Sequence, residues 1–263
     1  MLNELTDIQH HAHAVYLAAQ TTGKKDADGI LLDISERSDT LAISCSGIVP
    51  NKVIYAMAHS SNKIPALKLF ICDHRSLWFY KGIEGLTKSF DETVCLVNAF
   101  MGIMKPRTTC AFGTSGGGYM ALALAAKLGL DRALAFSPQT NISAKWRFEN
   151  NDTRWQNNMS IIHEHIAPRD PYDIIDLMQN RAVKVLGKQT EFHVVYSAND
   201  ALDLAQAVRL KGLSRVKTYR LDSDEHNTSA ELSRRGRLLP VLGTFIQSNG
   251  VNLDMELDSL LES

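Results

Sequence analysis

Between Thr108 and Leu128 the sequence passes from an apolar, β-branched stretch through Gly113-Thr114-Ser115-Gly116-Gly117 into an Ala- and Leu-rich segment. This is the feature that most restricts the fold. A strand that turns sharply into a helix needs glycine wherever a side chain would strike the adjoining backbone. Here glycine stands two residues to either side of Ser115.

The same alternation of strand and helix extends in both directions. Strands are expected at 30–34, 40–45 and 66–72 before the turn, at 108–112 leading into it, and at 132–136, 192–197 and 216–221 after it. Helices are expected over 5–20, 91–104, 116–128, 202–210 and 228–247. In the first, Leu5, Ile8 and residues 15–17 supply the apolar side, and the last is kinked or divided at Pro240. Short apolar strands separated by helices build a mostly parallel, doubly wound α/β sheet with helices on both faces. Residues 141–187 break the rhythm, with Trp146, Arg147, Arg154, Trp155, Pro168 and Pro171 and no clean strand. A piece that small is marginal as an independent unit. The expectation is one domain over 1–263, with 141–187 inserted as a helical cap over one end of the sheet.

Composition removes several classes. A hydrophobic share of 44% suffices for a core, and the net charge of -1 lacks the basic excess of a nucleic-acid binder. The longest apolar run, 119–126, is too short to span a membrane, and the acidic N-terminus does not read as a signal peptide, so a cytoplasmic location is expected. Cys45, Cys72, Cys95 and Cys110 have no CxxC spacing and are expected to be free thiols, buried rather than metal-binding.

The turn also carries chemistry. A G-x-S-x-G pattern between strand and helix holds the serine hydroxyl above the sheet, with free helix N–H groups and the positive helix end beside it. A phosphate-cradling loop would need Gly-Lys-Ser/Thr where Gly118-Tyr119-Met120 stand, and a dinucleotide fingerprint belongs to the first strand–helix unit rather than mid-chain. An acid and a histidine should follow the serine in that order. Asp200 lies in the loop after the 192–197 strand, and His226 in the loop after 216–221. Asp203 is the competing acid; Asp200 is preferred, and Asp203 is assigned to capping the following helix. Among the other histidines, His193 reads as packed within a strand, and His10, His11 and His13 as a solvated helix face. His163-Glu164-His165 has no HExxH spacing, so no metal site is expected.

Elbow, strand-end Asp and late-loop His together resemble the α/β-hydrolase superfamily, over roughly residues 30–140 and 190–248. The resemblance implies Ser115 as nucleophile, Asp200 as acid and His226 as base, with no cofactor. It implies an oxyanion hole made by the Gly116 N–H and a second N–H from the loop after 40–45, at Gly47 or Ile48, although no His-Gly run marks that loop. It also makes 141–187 the lid. Trp78, Gln139, Arg154 and Trp155 are candidates to touch substrate: the first two leave strands at the active end, and the others lie in the insertion. The Phe136-Ser137-Pro138-Gln139 run loosely resembles bacterial α/β-hydrolase-like proteins, some associated with surface-polysaccharide genes. The expected function is a serine hydrolase cleaving an ester or acyl bond of a small or acylated substrate through an acyl-enzyme. The alternatives are an acyltransferase on the same site, or a non-catalytic ligand- or partner-binding protein.

Overall fold

The computed structural model describes residues 2–27, 29–49, 51–165, 172–179 and 190–262. Helix α1 (Leu2–Thr22) leads into β1 (Lys24–Ala27), β2 (Ile30–Asp33), β3 (Thr40–Cys45), the single turn α2 (Ala58–Ser61) and β4 (Leu67–Ile71). Next come α3 (Phe90–Met104), β5 (Thr108–Thr114), α4 (Gly116–Leu128) and β6 (Arg132–Phe136). Among the described residues the short helices α5 (Ala144–Glu149), α6 (Gln156–His165) and α7 (Ile174–Gln179) lie between β6 and β7 (Glu191–Ser197). The chain continues through α8 (Ala201–Val208), β8 (Val216–Leu221), α9 (Thr228–Arg234), α10 (Leu238–Gln247) and α11 (Leu253–Glu262).

Among the described residues the strands form one sheet in the order β1-β2-β4-β3-β5-β6-β7-β8. Pairings β1–β2 and β2–β4 are antiparallel; the rest are parallel. The doubly wound α/β class is therefore as expected. Because side chains alternate along a strand, each buried strand feeds two cores. Leu41 and Ile43 of β3 and Ala111 of β5 join a cluster with Ile8, Ala12, Val15 and Ala19 of α1, Val97 and Phe100 of α3, and α4. Their neighbours Ala42, Cys110 and Phe112 face the opposite cluster, with Leu242 and Phe245 of α10 and Leu253, Leu257 and Leu261 of α11. Each fully buried Leu or Phe here contributes roughly 1.5–3 kcal/mol. Helix α4, buried from Gly116 to Ala126, is apolar on every side, as a helix held between a sheet and other helices must be.

Four details differ from the expectation. Leu17 is half exposed, and α1 buries Ala12 and Ala19 instead, because its core face runs at i, i+4, i+7 and i+11 from Ile8. The long terminal helix divides after Arg234 at Gly236, which adopts φ 71°, and not at Pro240. Pro240 falls in the first turn of α10, where a missing N–H costs no intrahelical bond. Edge strand β1 is too polar to stand out in sequence, and α11 packs its Leu253, Leu257 and Leu261 stripe on the chain's own core. Pro168 and Pro171, together with the last part of the expected insertion, 180–187, lie outside the described residues. Cys45, Cys72 and Cys110 are buried and Cys95 partly so; all four are free thiols.

Candidate active site

Parallel strands bring their C-terminal ends to one edge of the sheet, where loops after β5, β6, β7 and β8 meet. Ser115 joins β5 to α4 with φ 55° and ψ -121°, a strained backbone for a residue with a side chain. The turn is held by Ser115 N–H donating to the Phe136 carbonyl at 2.8 Å and Tyr119 N–H donating to the Ser115 carbonyl at 3.0 Å. Its glycines are required by close backbone. A Cβ on Gly113 would lie 2.3 Å from the Gly117 carbonyl oxygen, and one on Gly117 would lie 2.3 Å from that of Cys45. The loop after β3 crosses this turn. A Cβ on Gly47 would meet the Thr114 carbonyl at 3.0 Å, and the Ile48 side chain covers Gly116. Gly116 opens α4, so its N–H has no intrahelical acceptor and is free beside Ser115.

His226 reaches this serine. Its Nε2 is 3.0 Å from Ser115 Oγ, while Nδ1 is 2.7 Å from Asp203 Oδ1. A carboxylate on Nδ1 fixes the proton there and leaves Nε2 to accept from the serine hydroxyl. The imidazole is 29% exposed and the Asp203 carboxyl 1%, so the hydrogen-bonded chain is most open to solvent at the histidine.

The two acids exchange the places expected of them. Asp200, expected beside His226, is the N-cap of α8: its Oδ1 accepts the Asp203 N–H at 2.9 Å. With that carboxylate committed to the helix end, Asp203, one turn into α8 and buried, faces the histidine. Asp200, Asp203 and His226 offer ligating atoms within 4.8 Å of one another, a spacing that the cap and the His226 hydrogen bond already explain.

Gln139, expected near substrate, is 2% exposed and lies against Ser115 and His226. Its Nε2 is 2.9 Å and its Oε1 3.1 Å from Ser115 Oγ, and its Nε2 is 3.4 Å from His226 Nε2. Arg154 is differently employed. Its Nε and Nη2 each donate to Asp152 at 3.0 Å and its Nη1 to Asp203 Oδ1 at 3.2 Å, so the guanidinium joins the segment after α5 to the carboxylate that His226 meets. Burial opposes both charges of the Arg154–Asp152 pair, but their mutual hydrogen bonds prevail, holding the arginine's pKa up and the carboxyl's below its ordinary value. Arg147 approaches Asp152 at 3.4 Å. Asp152 was not singled out in the sequence, and no spacing marks it.

Trp155, 38% exposed, immediately precedes α6. Trp78 is fully buried, with its indole nitrogen 3.1 Å from where a Gly116 Cβ would be. Elsewhere His193 is packed, as expected, with Nδ1 2.8 Å from the Tyr219 hydroxyl, and His163 Nε2 lies 2.8 Å from the Ile142 carbonyl.

No protein-family model and no curated protein matches the chain by sequence. Solved structures match its form. The capsule O-acetyltransferase of Neisseria meningitidis serogroup A has a TM-score of 0.58 at 14% identity, over 86% of this chain and 94% of that one. An esterase/lipase from an uncultured bacterium has 0.55 at 12%, over 85% and 83%. S-formylglutathione hydrolase from Staphylococcus aureus has 0.54 at 14%, over 79% and 89%. The chain has the α/β-hydrolase fold. In this α/β-hydrolase fold the Ser115 turn, Gln139, Asp203 and His226 each leave the carboxyl end of a different parallel strand, β5, β6, β7 and β8. No helix among the described residues is long and apolar enough to cross a membrane.

Proposed function

We propose that the protein is a serine acyl-transfer enzyme that cleaves an ester or acyl bond through an acyl-enzyme on Ser115. The observation that carries this reading is the continuous relay from Ser115 Oγ through His226 to Asp203, 3.0 Å and 2.7 Å. Asp203 replaces Asp200 as the acid in it. Ser115 Oγ attacks the carbonyl carbon while His226 Nε2 takes its proton, and the imidazolium is stabilised by Asp203. The negative oxygen of the tetrahedral adduct is received by the Gly116 N–H and an N–H of the Gly47-Ile48 loop. Collapse expels the alcohol, which takes the proton back from His226. A second hydroxyl, deprotonated by the same nitrogen, then attacks the acyl-serine; the acyl–Oγ bond breaks, Ser115 Oγ takes the proton back from His226, and the acid or a new ester is released. Residues 141–187 would act as the cap of a single domain, tied to the relay through Arg154.

Whether that second hydroxyl belongs to water or to another molecule separates an esterase from an acyltransferase. The transferase reading is favoured by the likeness to a capsule O-acetyltransferase. Neither version calls on a cofactor bound to this chain.

The test is labelling with a fluorophosphonate followed by turnover of p-nitrophenyl acetate. Stoichiometric adduct on Ser115, lost in Ser115→Ala and in His226→Ala along with turnover, is the expected result. A serine that reacts no faster than a surface one would transfer the site to ligand binding.

A further inference from the structure

The loop between β4 and α3 contains a polar group that the fold leaves without a partner. Trp78 is 1% exposed, and its indole Nε1 is buried with no hydrogen-bond acceptor among the described residues. Such a donor costs roughly 1–3 kcal/mol when left unsatisfied. Its backbone is strained as well, with φ 52° at Trp78 and 63° at Phe79. Asp73 holds that conformation: its buried Oδ2 accepts the N–H groups of Leu77 at 2.7 Å and Phe79 at 2.8 Å, on either side of the tryptophan.

What this construction presents is a single N–H beside the nucleophile's helix. The indole nitrogen lies 3.1 Å from the point a Gly116 Cβ would occupy, with the Ile48 Cδ1 at 2.5 Å from the same point. A side chain at 116 would displace the Ile48 methyl and press closely on the indole edge. No described residue supplies the acceptor, and on the acyl-transfer reading the group arriving next to the Gly116 N–H is the substrate's carbonyl oxygen.

We propose that the Trp78 indole N–H is a further donor of the oxyanion hole, strained into place by Asp73 and satisfied only when the acyl carbonyl becomes tetrahedral. This rests on the acyl-transfer reading of Ser115. Two unsatisfied donors in the resting site, rather than donors bonded to protein, would favour the transition state over the ground state, since their bonds strengthen as charge develops on that oxygen.

The experiment uses the intact protein with its three tryptophans labelled with nitrogen-15. The indole signals are assigned from single Trp→Phe variants and recorded before and after reaction with a phosphonate ester, whose phosphoryl oxygen stands in for the oxyanion. The Trp78 N–H signal is expected to move downfield on adduct formation while those of Trp146 and Trp155 stay. Trp78→Phe is expected to lower kcat for p-nitrophenyl acetate by about 10²-fold with little change in KM. An adduct on Ser115 with an unmoved Trp78 signal overturns the proposal and leaves the relay intact. No adduct on Ser115 at all overturns both.

Discussion

Asp200 and Asp203 are the same residue type three positions apart, and only their direction distinguishes them. A helix N-terminus has N–H groups that want an acceptor, and whichever Asp precedes the helix supplies it. The chain opens α8 at Ala201, so Asp200 caps and Asp203 is carried inward to His226. A sequence does not fix a helix start to within three residues, and here those three residues decide the assignment. Asp203→Asn is expected to lower kcat by about 10⁴-fold with the fold intact. Asp200→Asn should change it by less than ~10-fold, because asparagine caps as well as aspartate. Steady-state kinetics on the two variants checks the exchange; equal losses would contradict it. Gln139 was legible as a strand-end residue, but its contact with both Ser115 and His226 depends on how Pro138 and the α4 glycines let β6 approach the elbow, where a Cβ on Gly118 would sit 3.2 Å from Pro138 Cβ.

The strand–turn–helix around Ser115 was legible because its constraints are local. The glycines answer to backbone atoms of β3, β5 and α4 that must pass within a few ångströms for the turn to close. Gly117→Ala is expected to cost about 3 kcal/mol or more, since a Cβ 2.3 Å from the Cys45 carbonyl and 2.4 Å from that of Ser46 can be accommodated only by moving backbone. Gly102 in α3 is the counterpart: nothing lies within 4 Å of its absent Cβ, and Gly102→Ala should stabilise by about 0.5–1 kcal/mol. Urea midpoints of the two variants test both signs. The Arg154–Asp152–Asp203 chain was not legible in this way. It joins a turn after α5 to the first turn of α8, elements far apart in sequence, and arginine's expected use on substrate gave no hint that two protein carboxylates already hold it.

Across the whole molecule, the pole opposite the elbow has its own pH dependence. His193 of β7 is 2% exposed and stacks on Tyr219 of β8, whose hydroxyl bridges it to Asp254 of α11. Burial lowers the His193 pKa from 6.5 to about 4; Asp254 opposes this, and Arg132 and Lys217 add to it. The unfolded chain therefore takes up a proton near pH 6.5 that the folded one refuses until about pH 4. Stability is undiminished by this group above pH 6.5 and falls between the two values, by about 2–3 kcal/mol at pH 4.5. His193→Asn should lose correspondingly less between pH 7.5 and 4.5 in urea unfolding; identical losses would show that His193 titrates normally in the fold.

What the sequence by itself determined were the features set by neighbours along the chain: the α/β alternation, the strand ends where Ser115 and His226 emerge, and the glycines a tight turn demands. Period-2 and helical patterns and the exclusion of Cβ atoms are written into consecutive residues. The tertiary structure alone decided which Asp meets His226, where the terminal helix divides, that α11 folds back on the core, and that the Trp78 indole nitrogen, with no partner among the described residues, comes to lie beside Gly116. Those outcomes depend on contacts between segments tens of residues apart, and short-range patterns carry no record of which buried donor will meet which acceptor.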